Sequence, residues 1–368
     1  MKALASVIPK RYHRSLSWRT ANRGSILPLL LVMLAIVALL VAGVVQLTDQ
    51  RSQALRQQQQ QWQAGADLHN TRTVVLYSLL TRPFNDAGMV VDPTIDWEAP
   101  NPLEVGDARI WTLTGKELRF DGTLYQGWGK AVFSLQDADA LINLNQLVLS
   151  RTSFLRLLEQ AGVTAAQGDV LLDRLLDYQD ADDLLRLHGA EHEEYVRAGL
   201  PPPANRPLRH LQELRLIPGW LESGVLDQAI FRDSITLSGR GFFNINTAPK
   251  AVLYAWTAYS ARDLDRLMQQ RPYQQAEQIT RLMGDDFPVD ILSIVFLASK
   301  HFRLRLYHPD LNYYEEQFIS FSKKEENGYP WVIDMVQRRS TSGTMALDTA
   351  RETGLRYFNP AQLGIAPL

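Results

Sequence analysis

Five carboxylates crowd one short stretch of the chain. Asp177, Asp180, Asp182, Asp183 and Glu191 all fall within "LLDYQDADDLLRLHGAEHEEY", Leu175 to Tyr195. Carboxylates this close repel one another unless a cation or solvent neutralises them. Asp180, Asp182 and Glu191 fall at positions 1, 3 and 12 of an EF-hand count, and calcium takes oxygen ligands of this kind. Leu184 and Leu185 stand at positions 5 and 6, where a ligand and an obligatory glycine would be, so the loop is not an EF-hand. Two readings stay open. Either Asp180, Asp182 and Glu191 hold calcium, or the loop caps the flanking helices, with Glu191 bonding local N–H groups. No other cofactor is called for.

Two further strings could do chemistry, and neither does. "HGAEH", His188 to His192, matches the H-x-x-E-H pattern of some zinc peptidases. That chemistry needs both imidazoles on one face of a regular helix, and "LRLHGAE" with Gly189 reads as a helix end or loop. "NINTAPKAVL" resembles the opening of a helix-hairpin-helix module. DNA-binding versions place Gly-x-Gly in the hairpin so that backbone N–H groups reach phosphate. Here the matching positions are Ala258, Tyr259 and Ser260. The structural reading is that Asn246 and Thr247 cap the helix after Pro249, while Asn244 pins the entering loop. Asn143 and Asn145 read the same way. P-loop, complete G-x-G-x-x-G and G-x-S-x-G strings are absent, so the chain is read as a non-enzyme.

The elements that position these residues follow from the rest of the sequence. The chain has 368 residues, 46% of them hydrophobic and none of them cysteine, which allows two or three folded domains and excludes disulfides. Of its 38 Lys and Arg, six lie in residues 1–24, which hold no acid. That leaves 32 against 40 acids, a net of −8, for residues 25–368. A basic start before an acidic body fits a cytoplasmic N-terminus and an exported bulk. It argues against nucleic-acid binding by the body.

Ser25 to Thr48 carries no charge, long enough to span roughly 30 Å of hydrocarbon. Pro28 fits the first turn of a helix beginning near Gly24. Apolar residues then recur at helical spacing from Ala54 to Leu80, through Leu55 and Trp62, and Pro83 is the stop. Anchor and extension make one helix of about 55 residues, roughly 80 Å.

Residues 84–107 read as an irregular loop, and "RIWTLTGKELRF" (109–120) as a hairpin around Thr114–Gly115. "GKAVFSLQD" reads as a third strand. Helical periodicity dominates from Asn145 to about Leu297. Strands return at 301–308, 314–323 and 329–338, with Asn327–Gly328 as the turn between the last two. Trp97, Trp111, Trp128 and Trp331 are expected in the strand core. The expected class is α+β: a long N-terminal transmembrane helix and an antiparallel β domain into which an all-helical domain is inserted. The segments are a leader (1–24), a membrane part (25–48), an amphipathic part (49–82), a first β part (83–144), the helical insertion (145–300), the remaining strands (301–339) and a tail (340–368).

"INLNQL" (142–147), the acidic string, "PPPANRPLRHLQELRLIPGW" (201–220) and "FFNINTAPKAVL" (242–253), in this order behind such a helix, resemble the minor pseudopilin K family of type II secretion. The resemblance implies a pilin-like β domain and an insertion of two helix-hairpin-helix or SAM-like modules, about 145–220 and 240–297. It implies prepilin peptidase cleavage between Gly24 and Ser25 and a methylated new N-terminus. It places the helix, with Leu29, Leu55 and Trp62, against pseudopilins of the I and J types and the major pseudopilin. Leu29 stands at mature position five, where most pilin-like subunits have glutamate and the K family does not. The implied location is the inner membrane, single-pass, with the bulk in the periplasm, at the tip of the pseudopilus. The other functional class is a signal-anchored periplasmic protein that handles DNA.

Overall fold

The computed structural model describes residues 26–91, 104–105, 108–109, 113, 115–148, 150–284, 287–289, 293–321, 330–341, 347–355 and 358. The chain divides into two compact units, Met1–Gln60 and Gln61–Leu368. Helix α1, Ile26–Thr81, begins in the first and ends in the second. The leader and the Gly24–Ser25 bond lie outside the described residues.

In the first unit, residues 26–60 are helical throughout and all but Ser52 are exposed. Nothing in the sequence interrupts the helix. Pro28 sits in its first turn, where an N–H would have no intrahelical partner anyway. The uncharged part is long and apolar enough to cross a bilayer.

In the second unit, α1 turns amphipathic. Ala64, Asp67, Leu68, Thr71, Val75, Leu76, Ser78 and Leu79 are buried, a stripe with three- and four-residue steps. Their apolar members pack on a five-stranded antiparallel sheet made of β6 (Asp121–Gln126), β7 (Val132–Asp137), β12 (His301–Tyr307), β13 (Tyr313–Phe321) and β14 (Trp331–Ser340). The order is β14-β13-β12-β7-β6. Phe120, Phe133, Leu135, Phe302, Leu304, Leu306 and Ile319 face α1, with the Phe120 and Phe302 ring centroids 4.8 Å apart. Trp331 packs partly buried on this core, and Trp128 is half-buried. Trp97, Trp111 and the Asn327–Gly328 turn lie outside the described residues.

A polar bolt fixes the foot of the helix. The buried Asp67 carboxylate accepts the Lys130 backbone N–H at 3.1 Å and lies 3.3 Å from His308 Nε2. His308 Nδ1 accepts the Asp310 N–H at 3.1 Å, so Nε2 carries the proton given to Asp67. Burying a carboxylate here is tolerable only because these donors are in place.

The region before the sheet differs from expectation. Residues 84–90 form a tight hairpin, β1 (Phe84–Asn85) with β2 (Gly88–Val90), instead of loop. Most of the first arm of the expected 109–120 hairpin, with Thr114, lies outside the described residues. Its start, in β4 (Ala108–Arg109), pairs with β3 (Glu104–Val105), while β5 (Glu117–Leu118) pairs with β2. Alternation in the sequence marked strands there but could not name their partners.

Strands β7 and β12 are neighbours, yet residues 138–300 lie between them. That stretch holds helices α2 (Arg151–Gln160), α3 (Ala165–Gln179), α4 (His192–Ala198), α5 (Ala229–Ser234), α6 (Lys250–Thr257), α7 (Ala261–Gln269) and α8 (Ala276–Met283). They close around a second core that includes Phe154, Trp220, Phe231 and Phe243. Asp137, fully buried at the exit from β7, ties departure to return. It accepts the N–H of Ser299 (3.0 Å), the amide of Asn244 (2.7 Å) and the hydroxyl of Thr247 (3.1 Å). Burial pushes its pKa up to about 6 against these donors. Thr247 does not cap α6, whose N-cap is Pro249; its hydroxyl proton goes to Asp137 instead. Asn246 does not cap it either, and no side chain does.

Candidate functional site: a repeated module and its acidic loop

The helical region is built twice on the same hydrogen bonds. Short strand β8 (Ile142–Asn143) runs parallel to β9 (Ile235–Thr236), and β10 (Phe243–Asn244) runs parallel to β11 (Ile294–Val295). Asn143 Oδ1 accepts the Asn145 N–H at 3.0 Å, and Asn244 Oδ1 accepts the Asn246 N–H at 3.0 Å. Asn145 then brackets Leu208, accepting its N–H at 2.9 Å and donating to its carbonyl at 3.0 Å. Asn246 brackets Tyr273 in the same way, at 2.7 Å in each direction. The second amide proton goes to Leu237 in one copy and Phe296 in the other. Both bracketed residues follow an Arg-Pro pair. In both, a side chain further on caps the chain: Glu213 takes the N–H groups of Arg209 and His210, and Gln278 those of Gln274 and Gln275.

The copies differ in one place. Asn145 and Leu208 are 63 residues apart, Asn246 and Tyr273 only 27. Much of the extra length is a segment from the end of α3 through α4, and it carries the acidic string.

The structure sorts that string. Asp177 is buried on the last turn of α3, and Asp180 is the C-cap. One guanidinium nitrogen of Arg186 donates to both, to Asp177 Oδ1 at 2.5 Å and to Asp180 Oδ2. Asp177 Oδ2 accepts the N–H groups of Arg186 (3.3 Å) and Ala190 (3.0 Å). A Cβ on Gly189 would lie 1.7 Å from that oxygen, so the position has no room for a side chain. Glu191 is 8% exposed, and neither of its carboxylate oxygens finds a hydrogen-bond partner. Burial first, then the charges of Asp177 and Asp180, push its pKa up to about 7. Asp180 Oδ1 is likewise buried and unpaired.

The expected set of Asp180, Asp182 and Glu191 is not assembled. Asp182 is exposed and accepts the Leu184 N–H at 3.0 Å in its own turn. Among the described residues no three His, Asp or Glu side chains form a ready ligand set. Glu191 stands at the N-cap of α4 in a capping-box arrangement, its N–H donated to Glu194 at 3.1 Å, although neither of its own carboxylate oxygens reaches hydrogen-bond geometry. The third inward acid is Asp177, whose i, i+3 relation to Asp180 places both on one helix face. That spacing was readable in the sequence. The histidines are apart in role: His188 is in a turn, its ring 3.3 Å from Asp173, and His192 opens α4.

The α6–α7 hairpin turns at Ala258 with φ 56°, a left-handed conformation that glycine adopts more cheaply. The neighbouring Ser260 caps α7 through the Asp263 N–H, as Thr164 caps α3 through that of Gln167. On α1, Leu29, Leu55 and Trp62 are 63%, 66% and 73% exposed.

Residues 140–226, which enclose most of the first copy, match the family model of type II secretion system (T2SS) protein K. That stretch is similar to the family; it covers about a quarter of the chain. A curated Escherichia coli K12 protein described as a type II secretion system protein K is 27% identical over 215 residues, 55% of this chain. The match spans 59% of that relative's length. A chain from the crystal structure of the GspK-GspI-GspJ complex of enterotoxigenic E. coli aligns with a TM-score of 0.49 at 18% identity. The alignment covers 79% of this chain and 99% of that one.

Proposed function

We propose that this protein is a minor pseudopilin that sits at the tip of a type II secretion pseudopilus and helps to start the filament. The observation that carries the reading is the protein K domain in a chain whose first described element is an exposed apolar helix. Some two dozen uncharged helical positions have nothing to bury them except lipid or other helices. The role is structural: α1 anchors the chain in the inner membrane and then packs against helices of I-type, J-type and major pseudopilins. Leu29, Leu55 and Trp62 are its contact positions. The sheet and the repeated helical modules lie in the periplasm. A helical insertion between neighbouring strands adds bulk that suits a cap better than a repeated shaft subunit.

Processing tests this reading. Purified from membranes of cells with an active prepilin peptidase, the chain is expected to begin at Ser25 and to carry an N-methyl group. A chain still beginning at Met1 would leave an uncleaved anchor. A Gly24→Val substitution should block the cut.

The acidic loop supports a second property, binding of a calcium-class cation. Two unpaired buried oxygens on Glu191 and one on Asp180 favour it. Asp177, Asp180 and Glu191 would hold the ion through oxygen atoms, and the ion would supply the charge balance that these carboxylates lack. Calorimetric titration of the chelator-stripped protein with CaCl2 is expected to show binding that Glu191→Gln abolishes.

A further inference from the structure

The first helical module carries an open groove where the second is bridged. It lies between one face of α3 and the turn at 219–223 and encloses about 420 Å³. Ala166, Val170, Leu171 and Arg174 form one wall, Gly219 and Glu222 the other. The lining is apolar almost throughout, so Arg174 contributes chiefly its methylene stem. A concave apolar surface of this size is the usual form of a binding pocket.

The second module fills the same walls differently. Counted from the capping residues Thr164 and Ser260, buried Leu171 matches buried Leu267, while Ala166 and Val170 match Arg262 and Arg266. On the other wall, counted from Glu213 and Gln278, Gly219 matches Gly284, and both have positive φ, 83° and 92°. Arg262 and Arg266 are exposed, as charged residues on a solvated helix face are. Arg266 also reaches across to the carbonyl of Leu282 at 3.5 Å. Val170 is too short to span the gap and has no polar atom, so the space beside it stays open. A solvated helix face gains nothing from exchanging arginines for Ala and Val, whereas a docking face does.

Arg174 adds a charge requirement. Its Nη1 donates to the Pro218 carbonyl at 2.9 Å, and its Nε is buried without a partner. Among the described residues no carboxylate pairs with it, Glu222 of the facing wall included. We propose that this groove docks a peptide segment of a partner protein in which a bulky aliphatic side chain adjoins a carboxylate: the aliphatic chain fills the space over Val170 and Leu171, and the carboxylate pairs with the Arg174 guanidinium. Apolar burial supplies the affinity, and the arginine–carboxylate pair fixes the orientation. Charges of both signs flank the apolar floor. That matches a peptide, whose N–H groups can reach Glu222, better than a fatty acid, which places no donor there. The groove uses no residue of α1, so this docking is additional to the filament contacts proposed above.

The test uses the full chain in lipid nanodiscs and the fluorescence anisotropy of labelled hexapeptides. The probes are Gly-Ser-Leu-Leu-Asp-Gly, the same peptide with Asn for Asp, and the same peptide with Ser for both Leu. Wild type should bind the first, bind the Asn form about fivefold more weakly, and not bind the Ser form. Arg174→Gln should bind the Asp and Asn forms alike. Val170→Arg, which copies the second module, should abolish binding while circular dichroism stays unchanged. Equal binding of the Asp and Asn forms by wild type, binding that survives Val170→Arg, or no binding of any peptide overturns the proposal. Sodium decanoate is titrated into the same samples by calorimetry. Decanoate binding that Val170→Arg removes, without peptide binding, marks a fatty-acid site and overturns the proposal as well.

Discussion

The two helical modules use the same asparagine bracket, yet only one carries the acidic segment. In the second, 27 residues separate Asn246 from Tyr273, the Asn246 amide is fully paired, and the unpartnered buried group beside it is Arg271 Nε. In the first, 63 residues separate Asn145 from Leu208, and the added segment brings a buried unpaired glutamate, a shared arginine and exposed leucines. A repeated scaffold shows what stability alone requires. What one copy adds beyond that is where function is best sought, because unpaired buried charge persists only at a cost.

The largest expected effects test whether the copies are equivalent. Asn145→Ala and Asn246→Ala each remove three hydrogen bonds and strand the N–H and carbonyl of the bracketed residue. Each should lower stability by about 3 kcal/mol or more, measured by denaturant unfolding. Equal losses support one scaffold used twice; a loss confined to one copy breaks the comparison. Asp137→Ala, which unties both crossings between sheet and insertion, should cost a similar amount.

A smaller effect sharpens the contrast. The capping residue is a titrating Glu213 in one copy and a neutral Gln278 in the other. Burial opposes ionisation of Glu213, but the Arg209 and His210 N–H groups and Arg206 outweigh it and lower its pKa. Its contribution is therefore fully present above the usual glutamate value of 4.5 and is lost as pH falls through the depressed one. Hydrogen exchange at falling pH should open the first copy before the second, and Glu213→Gln should remove that difference. The smallest expected effect, about 0.5–1 kcal/mol, is the loss of the Ser260 cap in Ser260→Ala, to be matched by Thr164→Ala in the other copy.

Much of this was legible in the sequence, and the failures share a cause. The uncharged run became the exposed part of α1, and the alternating strings became β12, β13 and β14, because both signals are local. Asn143, Asn145 and Asn244 were read as pins of loops, though not as parts of two identical brackets. Asn246 and Thr247 were misread as caps because their partners, Tyr273, Phe296 and Asp137, are 27 to 110 residues away. The Met89–Leu118 pair was missed for the same reason, since its members lie far apart in the chain. In the acidic loop the cluster was seen but Asp182 was chosen over Asp177. A loop count ignores that Asp182 turns into its own backbone while Asp177 points in from α3.

The most direct test of the pseudopilin assignment is photo-cross-linking in living cells from a benzoylphenylalanine placed at Trp62, with adducts identified by mass spectrometry. The account predicts adducts with other pseudopilins of the same secretion system. Their loss when α1 loses its exposed apolar face, as in Leu55→Asp, would mark them as helix contacts. A residue at Trp62 that cross-links only to water and detergent-soluble bystanders, in cells that secrete normally without this protein, would contradict it.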